Sequence, residues 1–248
     1  MQKLDATSEE VLPKSIDFFR TDPVTIAYQQ SSTVAYHPQN PLSTTPITFR
    51  INTGQSYIDF SKCYLVTSFK ISKKGKDDKL FLPITKDDPV SFIQNFGGSF
   101  IKSLRVMFNG KQVYNSNELY AYNSYLRRRL GLDVSRNQEY LQLSGYFEDG
   151  LDQMSGEGFE ARRALYENGA TFETVCSIDA DIFRQKKLLL NQMVVEIEIT
   201  PHNNFFALLN TGKDEYKYSI VDCKLYTKQH LLVPQLEGEF HFVMDSSL

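Results

Sequence analysis

Between Pro46 and Ile71, apolar and polar positions alternate in two runs separated by a turn that carries Gly54. Ile47, Phe49 and Ile51 fall on one face of an extended chain, and Thr48, Arg50 and Asn52 on the other. From Tyr57 to Ile71 the alternation resumes, with Cys63, Leu65, Thr67, Phe69 and Ile71 opposed to Tyr64, Val66, Ser68 and Lys70. A side-chain period of two over such lengths predicts strands of a sheet with one buried face.

The same period returns in Phe100–Phe108 and Lys111–Tyr114, on either side of Asn109-Gly110. Both central residues of a two-residue hairpin turn take positive φ, which Asn and Gly tolerate, so a hairpin is predicted there. Further strand patterns lie at Thr171–Ile178, Leu188–Thr200, Phe205–Leu209 and Tyr218–Tyr226. Within the second of these, Val195, Ile197 and Ile199 oppose Glu196, Glu198 and Thr200. Ser15–Phe19 and Val24–Tyr28 are short β-like runs, and Ala35 to Pro46, with Pro38, Pro41 and Pro46, reads as an extended connector. Lys73–Lys79 reads as a charged surface turn, Pro89–Phe96 as a short helix or extended segment, and Gly97-Gly98 as a kink at strand entry.

One stretch changes period. Asn115 is placed to cap a helix and Glu118 to return the bond as in a capping box. Leu119, Tyr122, Leu126 and Leu130 follow at spacings of three and four, which predicts a single apolar stripe along the helix. Arg127, Arg128 and Arg129 crowd the last turn, where cations complement the helix dipole, and Gly131 ends it. A weaker helical segment runs from about Val134 to Gly145, Asp149–Gly158 reads as a loop, and Glu160–Glu167 as a helical turn. About eight strands with one helical interruption predict an all-β fold, an antiparallel eight-stranded sandwich or jelly-roll sandwich with inserted helices, rather than a βαβ sheet. The expected organisation is a flexible arm over 1–14, a jelly roll over 15–233 with a helical insertion at about 115–167, and a linker or truncated tail over 234–248.

Composition narrows the function. The chain has 248 residues, 41% of them hydrophobic, enough for a sizeable core. With 27 Lys and Arg against 30 Asp and Glu, it lacks the basic excess of a general nucleic-acid clamp, so no specific nucleic-acid partner is expected. The 14 Tyr and 18 Phe suit strands and protein contact surfaces. No apolar run is long enough for a transmembrane helix, and the polar start lacks the features of a signal peptide. Cys63, Cys176 and Cys223 lie far apart inside strand patterns and read as buried free thiols of a reducing compartment.

Candidate chemistry is sparse. His37, His202, His230 and His241 are scattered without metal-ligand spacing, and His202-Asn-Asn204 reads as a turn. Asp179-Ala-Asp181 places two carboxylates on one side of an extended segment, a pair that can bind metal or share a proton but is common at strand ends. No phosphate-binding glycine loop or nucleophile motif occurs. No catalytic, metal or cofactor residues are assigned. The arginine triplet Arg127, Arg128 and Arg129 reads first as a solvated dipole complement, then as a subunit contact or a nucleic-acid contact.

Several segments in order carry a resemblance. Ser15-Ile-Asp-Phe-Phe19, Val34-Ala-Tyr-His-Pro38, Thr45–Ile51 and Tyr57-Ile-Asp-Phe60 resemble the opening of the major capsid proteins of Polinton (Maverick) elements and their adintovirus relatives. Phe100–Gly110, Tyr120–Leu126, Asp179–Phe183, Lys187–Asn191, Val195–Ile199 and Tyr218–Tyr226 follow in the family's order, so the likeness covers about residues 15 to 233. No single motif is diagnostic; order and spacing carry the match. The resemblance implies a non-enzymatic shell protein of two jelly rolls, of which this chain looks like the first and then stops. It also implies a homotrimeric capsomer in an icosahedral virion capsid, made as a soluble intracellular protein, with penton and other capsid proteins as partners. The truncation reads as a fragment, a degraded element copy or a host-retained remnant. A stand-alone jelly-roll module for a carbohydrate or receptor is the alternative.

Overall fold

The computed structural model describes residues 28–75, 80–131, 138–150, 154 and 156–233. The expected arm, the Ser15–Phe19 run, most of the Val24–Tyr28 run, part of the charged turn, the start of the second helical segment and the tail from 234 lie outside the described residues. Among the described residues, no helix is long and apolar enough to cross a membrane.

The elements run β1 (Tyr28–Tyr36), β2 (Ile47–Asn52), β3 (Tyr57–Lys74), β4 (Phe81–Pro83), β5 (Val90–Phe92), α1 (Phe96–Ser99), β6 (Ile101–Phe108) and β7 (Lys111–Asn115). Three helices follow, α2 (Tyr120–Gly131), α3 (Gln138–Leu143) and α4 (Glu157–Ala164). The chain then closes with β8 (Phe172–Ser177), β9 (Val194–Pro201), α5 (Asn204–Ala207), β10 (Leu208–Asn210) and β11 (Tyr216–Leu232).

Strand pairing shows how the chain is wound. The Asn109-Gly110 turn, with φ of 48° and 78°, joins β6 to β7. Moving outward from that tip, β3 pairs with β8, β2 with β9 and β1 with β11, all antiparallel. The chain is thus one long nested hairpin. Two further pairings roll it up: β11 lies beside β3, and β9 beside β6. The outcome is one sheet ordered β1-β11-β3 with β8 and β4 sharing the far side of β3, and a second ordered β2-β9-β6-β7. Setting aside the three-residue β4, the other eight strands of the two sheets make an antiparallel eight-stranded jelly-roll sandwich with inserted helices; β5 and β10 form a small additional ladder.

The alternation of the sequence becomes the core. Ile47, Phe49 and Ile51 of β2, Val195, Ile197 and Ile199 of β9, and Leu104 and Val106 of β6 are all buried on one sheet's inner face. Cys63, Leu65, Phe69 and Ile71 of β3 with Cys223 and Leu225 of β11 cover them from the other. β3 changes phase once: Phe60 is buried, Ser61 and Lys62 are exposed, and Cys63 is buried again. The register explains it, because Asp59 pairs with Lys228 while Tyr64 pairs with Tyr226, so β3 carries a bulge there. Asp59 accepts the Ser61 N–H at 2.9 Å and its hydroxyl at 2.6 Å inside that bulge. Phe69 is the centre of an aromatic cluster with Phe92, Phe96, Phe100 and Tyr218. The three cysteines are free and buried, and burial pushes the Cys63 and Cys223 thiols up to about 12, so they pack as small apolar groups.

Four local expectations need correction. The connector expected from Ala35 overlaps β1, whose residues Ser31 to Tyr36 are held by backbone pairing to β11 despite their polar sequence. The Phe205–Leu209 run is mostly the short helix α5, capped by Asn203, whose side chain accepts the Phe206 N–H. The capping box does not form: Asn117 and Glu118 adopt positive φ, Leu119 N–H bonds to Ser116 O, and Glu118 pairs with Lys102 instead. Gly97 and Gly98 do not simply kink a strand. They lie in α1, where a Cβ on Gly98 would sit 2.2 Å from Ser124 Oγ and one on Gly97 3.0 Å from Thr174, so their smallness lets α1 touch α2 and β8.

One carboxylate anchors the end of the sandwich. Asp88 is buried and accepts from Lys73 Nζ at 2.7 Å, Thr85 N–H at 2.7 Å, Thr85 Oγ1 at 2.9 Å and Tyr216 OH at 2.9 Å. Burial raises its pKa, but these donors outweigh burial and hold it at about 2.

Candidate subunit interface

Helix α2 sits on the sandwich by a polar face. Its buried side chains are Tyr120, Ala121, Ser124 and Arg128, on one side at a spacing near four. Asp179, at the end of β8 and itself buried, receives this face. Ser124 Oγ donates to Asp179 Oδ2 at 2.8 Å, and Asn95 Nδ2 donates to Ser124 Oγ at 3.0 Å. Tyr120 OH accepts the Asp179 N–H at 2.8 Å, and Asn123 Nδ2 donates to the Asp179 carbonyl at 3.0 Å. A buried carboxylate is tolerable only when such donors replace water.

The three arginines of the last turn point to three places. Arg127 donates to Asn123 and pairs with Asp181 at 2.7 Å. Arg128 is 5% exposed and reaches Ser177 Oγ at 2.8 Å and Asp179 at 3.5 Å. Arg129 donates to Tyr146 OH at 3.0 Å and meets Glu148 at 3.3 Å. All three guanidinium heads therefore tie α2 to its own chain, and Arg128 is a core residue rather than a solvated complement of the dipole. The Asp179-Ala-Asp181 pair is parted by burial: Asp179 is buried, while Asp181 opens a 3-10 turn and is exposed, each beside a different arginine of the triplet.

The expected apolar stripe is the outside of the helix. Leu119 is 61% exposed, Tyr122 55%, Leu126 51% and Leu130 81%. The Tyr122 ring meets Phe206 edge-on at 5.8 Å, Phe206 stacks on His202 at 3.7 Å, and the adjoining Phe205 is 95% exposed. Burial lowers the His202 pKa, as expected for a ring stacked on an aromatic in the turn after β9. Beside Tyr122 and Phe206 a cleft of about 470 Å³ opens, also lined by Tyr125, Gln94 and Ser99. Isolated exposed leucines are ordinary, but here a row on one helix face runs into an aromatic cleft and forms a continuous exposed apolar patch.

A second buried ion pair, which nothing in the sequence pattern signalled, holds the end of the insertion. Arg162 of α4 is 1% exposed, donates to the Phe92 carbonyl at 2.9 Å and pairs with Asp149 at 3.1 Å. Gln94 completes this site by donating to Asp149 at 2.7 Å. Among the described residues, no group of three or more His, Cys, Asp or Glu side chains is arranged to hold a metal ion.

No family model matches the chain. Over 193 residues it is 28% identical to the uncharacterized protein F54H12.2 of Caenorhabditis elegans, an alignment covering 76% of this chain and 45% of that protein. Its fold is similar to a chain in the cryo-EM structure of the Sputnik virophage, with a TM-score of 0.58, 14% identity, and coverage of 94% of this chain and 54% of that one. It is also similar to the Faustovirus major capsid protein, with a TM-score of 0.50, 9% identity, and coverage of 94% and 58%. At these identities the likeness to the solved structures is one of fold. The chain spans about half the length of the proteins it matches.

Proposed function

We propose that this chain is a structural capsid subunit, the first jelly roll of a hexon-like double jelly-roll major capsid protein of the Polinton or Maverick and adintovirus kind. It acts through subunit contacts in an icosahedral shell, as a homotrimeric capsomer beside penton and other capsid proteins, and it needs no cofactor. The observation that carries this reading is the span of the fold likeness. Nearly all of this chain, 94%, aligns to little more than half of the virophage chain and of the Faustovirus capsid protein. The ordered segment resemblance supports the narrower family.

The contact surface in this reading is the outer side of α2. Leu126 and Leu130 form its centre, while Arg127 and Arg129 flank them on opposite sides of the helix and add a polar rim. Symmetric shells are built by repeated burial of one such patch against another.

Light scattering and negative-stain imaging of one sample test this. Trimers or hexagonal arrays are expected. Replacing Leu126→Glu and Leu130→Glu together is expected to give monomers with unchanged melting behaviour. A wild-type monomer that binds a glycan saturably would overturn the reading in favour of a stand-alone binding module.

A further inference from the structure

We infer that the C-terminal end of α2 holds a binding site for a small oxyanion, a phosphate or carboxylate group. A cavity of about 110 Å³ lies there, lined by Arg127, Arg128, Gly131, Asp179 and Arg184. That is the volume of about three to four waters, at ~30 Å³ per water, and so room for one such group. Three guanidinium groups from two separate chain segments converge on it.

The charges around the cavity do not cancel. Arg128 and Arg184 both lean on Asp179, at 3.5 and 2.9 Å. Arg127 leans on Asp181, which is 84% exposed and does not line the cavity. Three cations thus face one buried carboxylate at the cavity. The α2 carbonyl end adds only about half a negative charge, so an excess of positive charge remains.

The hydrogen bonds are also unfinished. Arg128 Nε is buried and has no partner among the described residues. A buried charged donor without an acceptor costs more than an ordinary lost hydrogen bond, so such atoms usually mark a missing partner. Arg184 spends Nη2 on Asp179, and Arg127 spends Nε and Nη2 on Asn123 and Asp181. The Arg127 and Arg184 side chains are part-exposed, at 28% and 51%, so the other N–H groups of these two forks remain open to a ligand that displaces water. A guanidinium fork matches the two oxygens of a carboxylate or phosphate, which supply the acceptors this cavity lacks.

This site does not depend on the chain being a capsid subunit, and its test is separate. Calorimetric titration of the wild-type chain with inorganic phosphate and, in a second arm, with glutarate reads the site directly, in sodium chloride of matched ionic strength. One of the two is expected to bind saturably and raise the melting temperature. Binding of phosphate alone assigns a phosphate group, and binding of glutarate alone a carboxylate. Arg184→Gln, at a half-exposed side chain, is expected to weaken binding by about tenfold, the loss of one charge-assisted hydrogen bond. Arg127→Gln, in the event that Arg184→Gln lowers stability, is expected to weaken it similarly while leaving Asp179 fully paired. Absence of saturable binding in both arms, or equal affinity in wild type and both variants, would overturn the inference.

Discussion

In β9, Val195, Ile197 and Ile199 face the core while Glu196 and Glu198 lie on the outer face; in α2, Tyr120, Ser124 and Arg128 face the core while Leu126 and Leu130 lie outside. The sandwich and the helical insertion of the same chain therefore choose their buried sides differently. A strand in a two-sheet sandwich has its backbone bonds satisfied by its neighbours, so side-chain transfer from water decides which face turns inward. Helix α2 lands on a patch already occupied by the buried charge of Asp179, by Asn95 and by the tight glycine turn of α1. There the landing face must supply donors and small atoms, and leucine would leave the carboxylate unpaired.

The largest effects are expected from removing the centre of each region. Phe69→Ala empties the aromatic cluster and is expected to cost about 3–5 kcal/mol in chemical denaturation. Asp179→Ala is expected to cost a comparable ~3–5 kcal/mol, because it strands Arg128 without its counter-charge. The two should differ in place. Hydrogen exchange in Asp179→Ala is expected to rise first in α2 and α3, with the β2-β9-β6 amides still protected. A cost below about 1 kcal/mol for Asp179→Ala would mean that polar contacts are not what seats the helix.

A smaller effect tests the close approach of α1 and α2. Gly98→Ala puts a methyl on Ser124 Oγ and is expected to cost about 1–3 kcal/mol. In a Ser124→Ala background the clashing oxygen is gone, so the added cost of Gly98→Ala should fall, a non-additivity of about 1 kcal/mol. Purely additive losses would show that the glycine serves backbone freedom rather than contact.

The smallest effect belongs to the sandwich end and appears only in acid. The folded Asp88 carboxyl, at about 2, lies below its ordinary value of 3.8. Its stabilisation is therefore complete above about pH 4 and is lost as pH falls toward 2, by at most about 2 kcal/mol. Asp88→Asn should flatten that part of the stability profile between pH 4 and 2, and an unchanged acid limb would remove Asp88 from the account.

Much of the sandwich was legible in the chain. The alternation over 47–51, 57–71 and 195–199 and the Asn109-Gly110 turn all lie where strands and hairpin occur, because period two and positive φ are local properties. β1 was not legible, since Gln29, Gln30, Ser31 and Ser32 have little apolar signal and are ordered by pairing with β11. The outer face of α2 was half legible. Leu119, Tyr122, Leu126 and Leu130 stood out as an apolar stripe at helical spacing, but spacing alone does not say whether such a stripe turns inward or outward.

The chain alone determined that there would be strands with one wet and one dry face, a hairpin at Asn109-Gly110, and a helix near residue 120 with leucines along one side. Periodicity and turn chemistry are carried by neighbours in sequence, so they need no other information. Only the tertiary structure decided which strands pair and in what register, the burial of Arg128 and Arg162, and the outward turn of Leu126 and Leu130. Those depend on partners distant in sequence, Asp179 for one arginine and Asp149 with the Phe92 carbonyl for the other, and burial of a charge is settled by whether its counter-charge arrives at the same place.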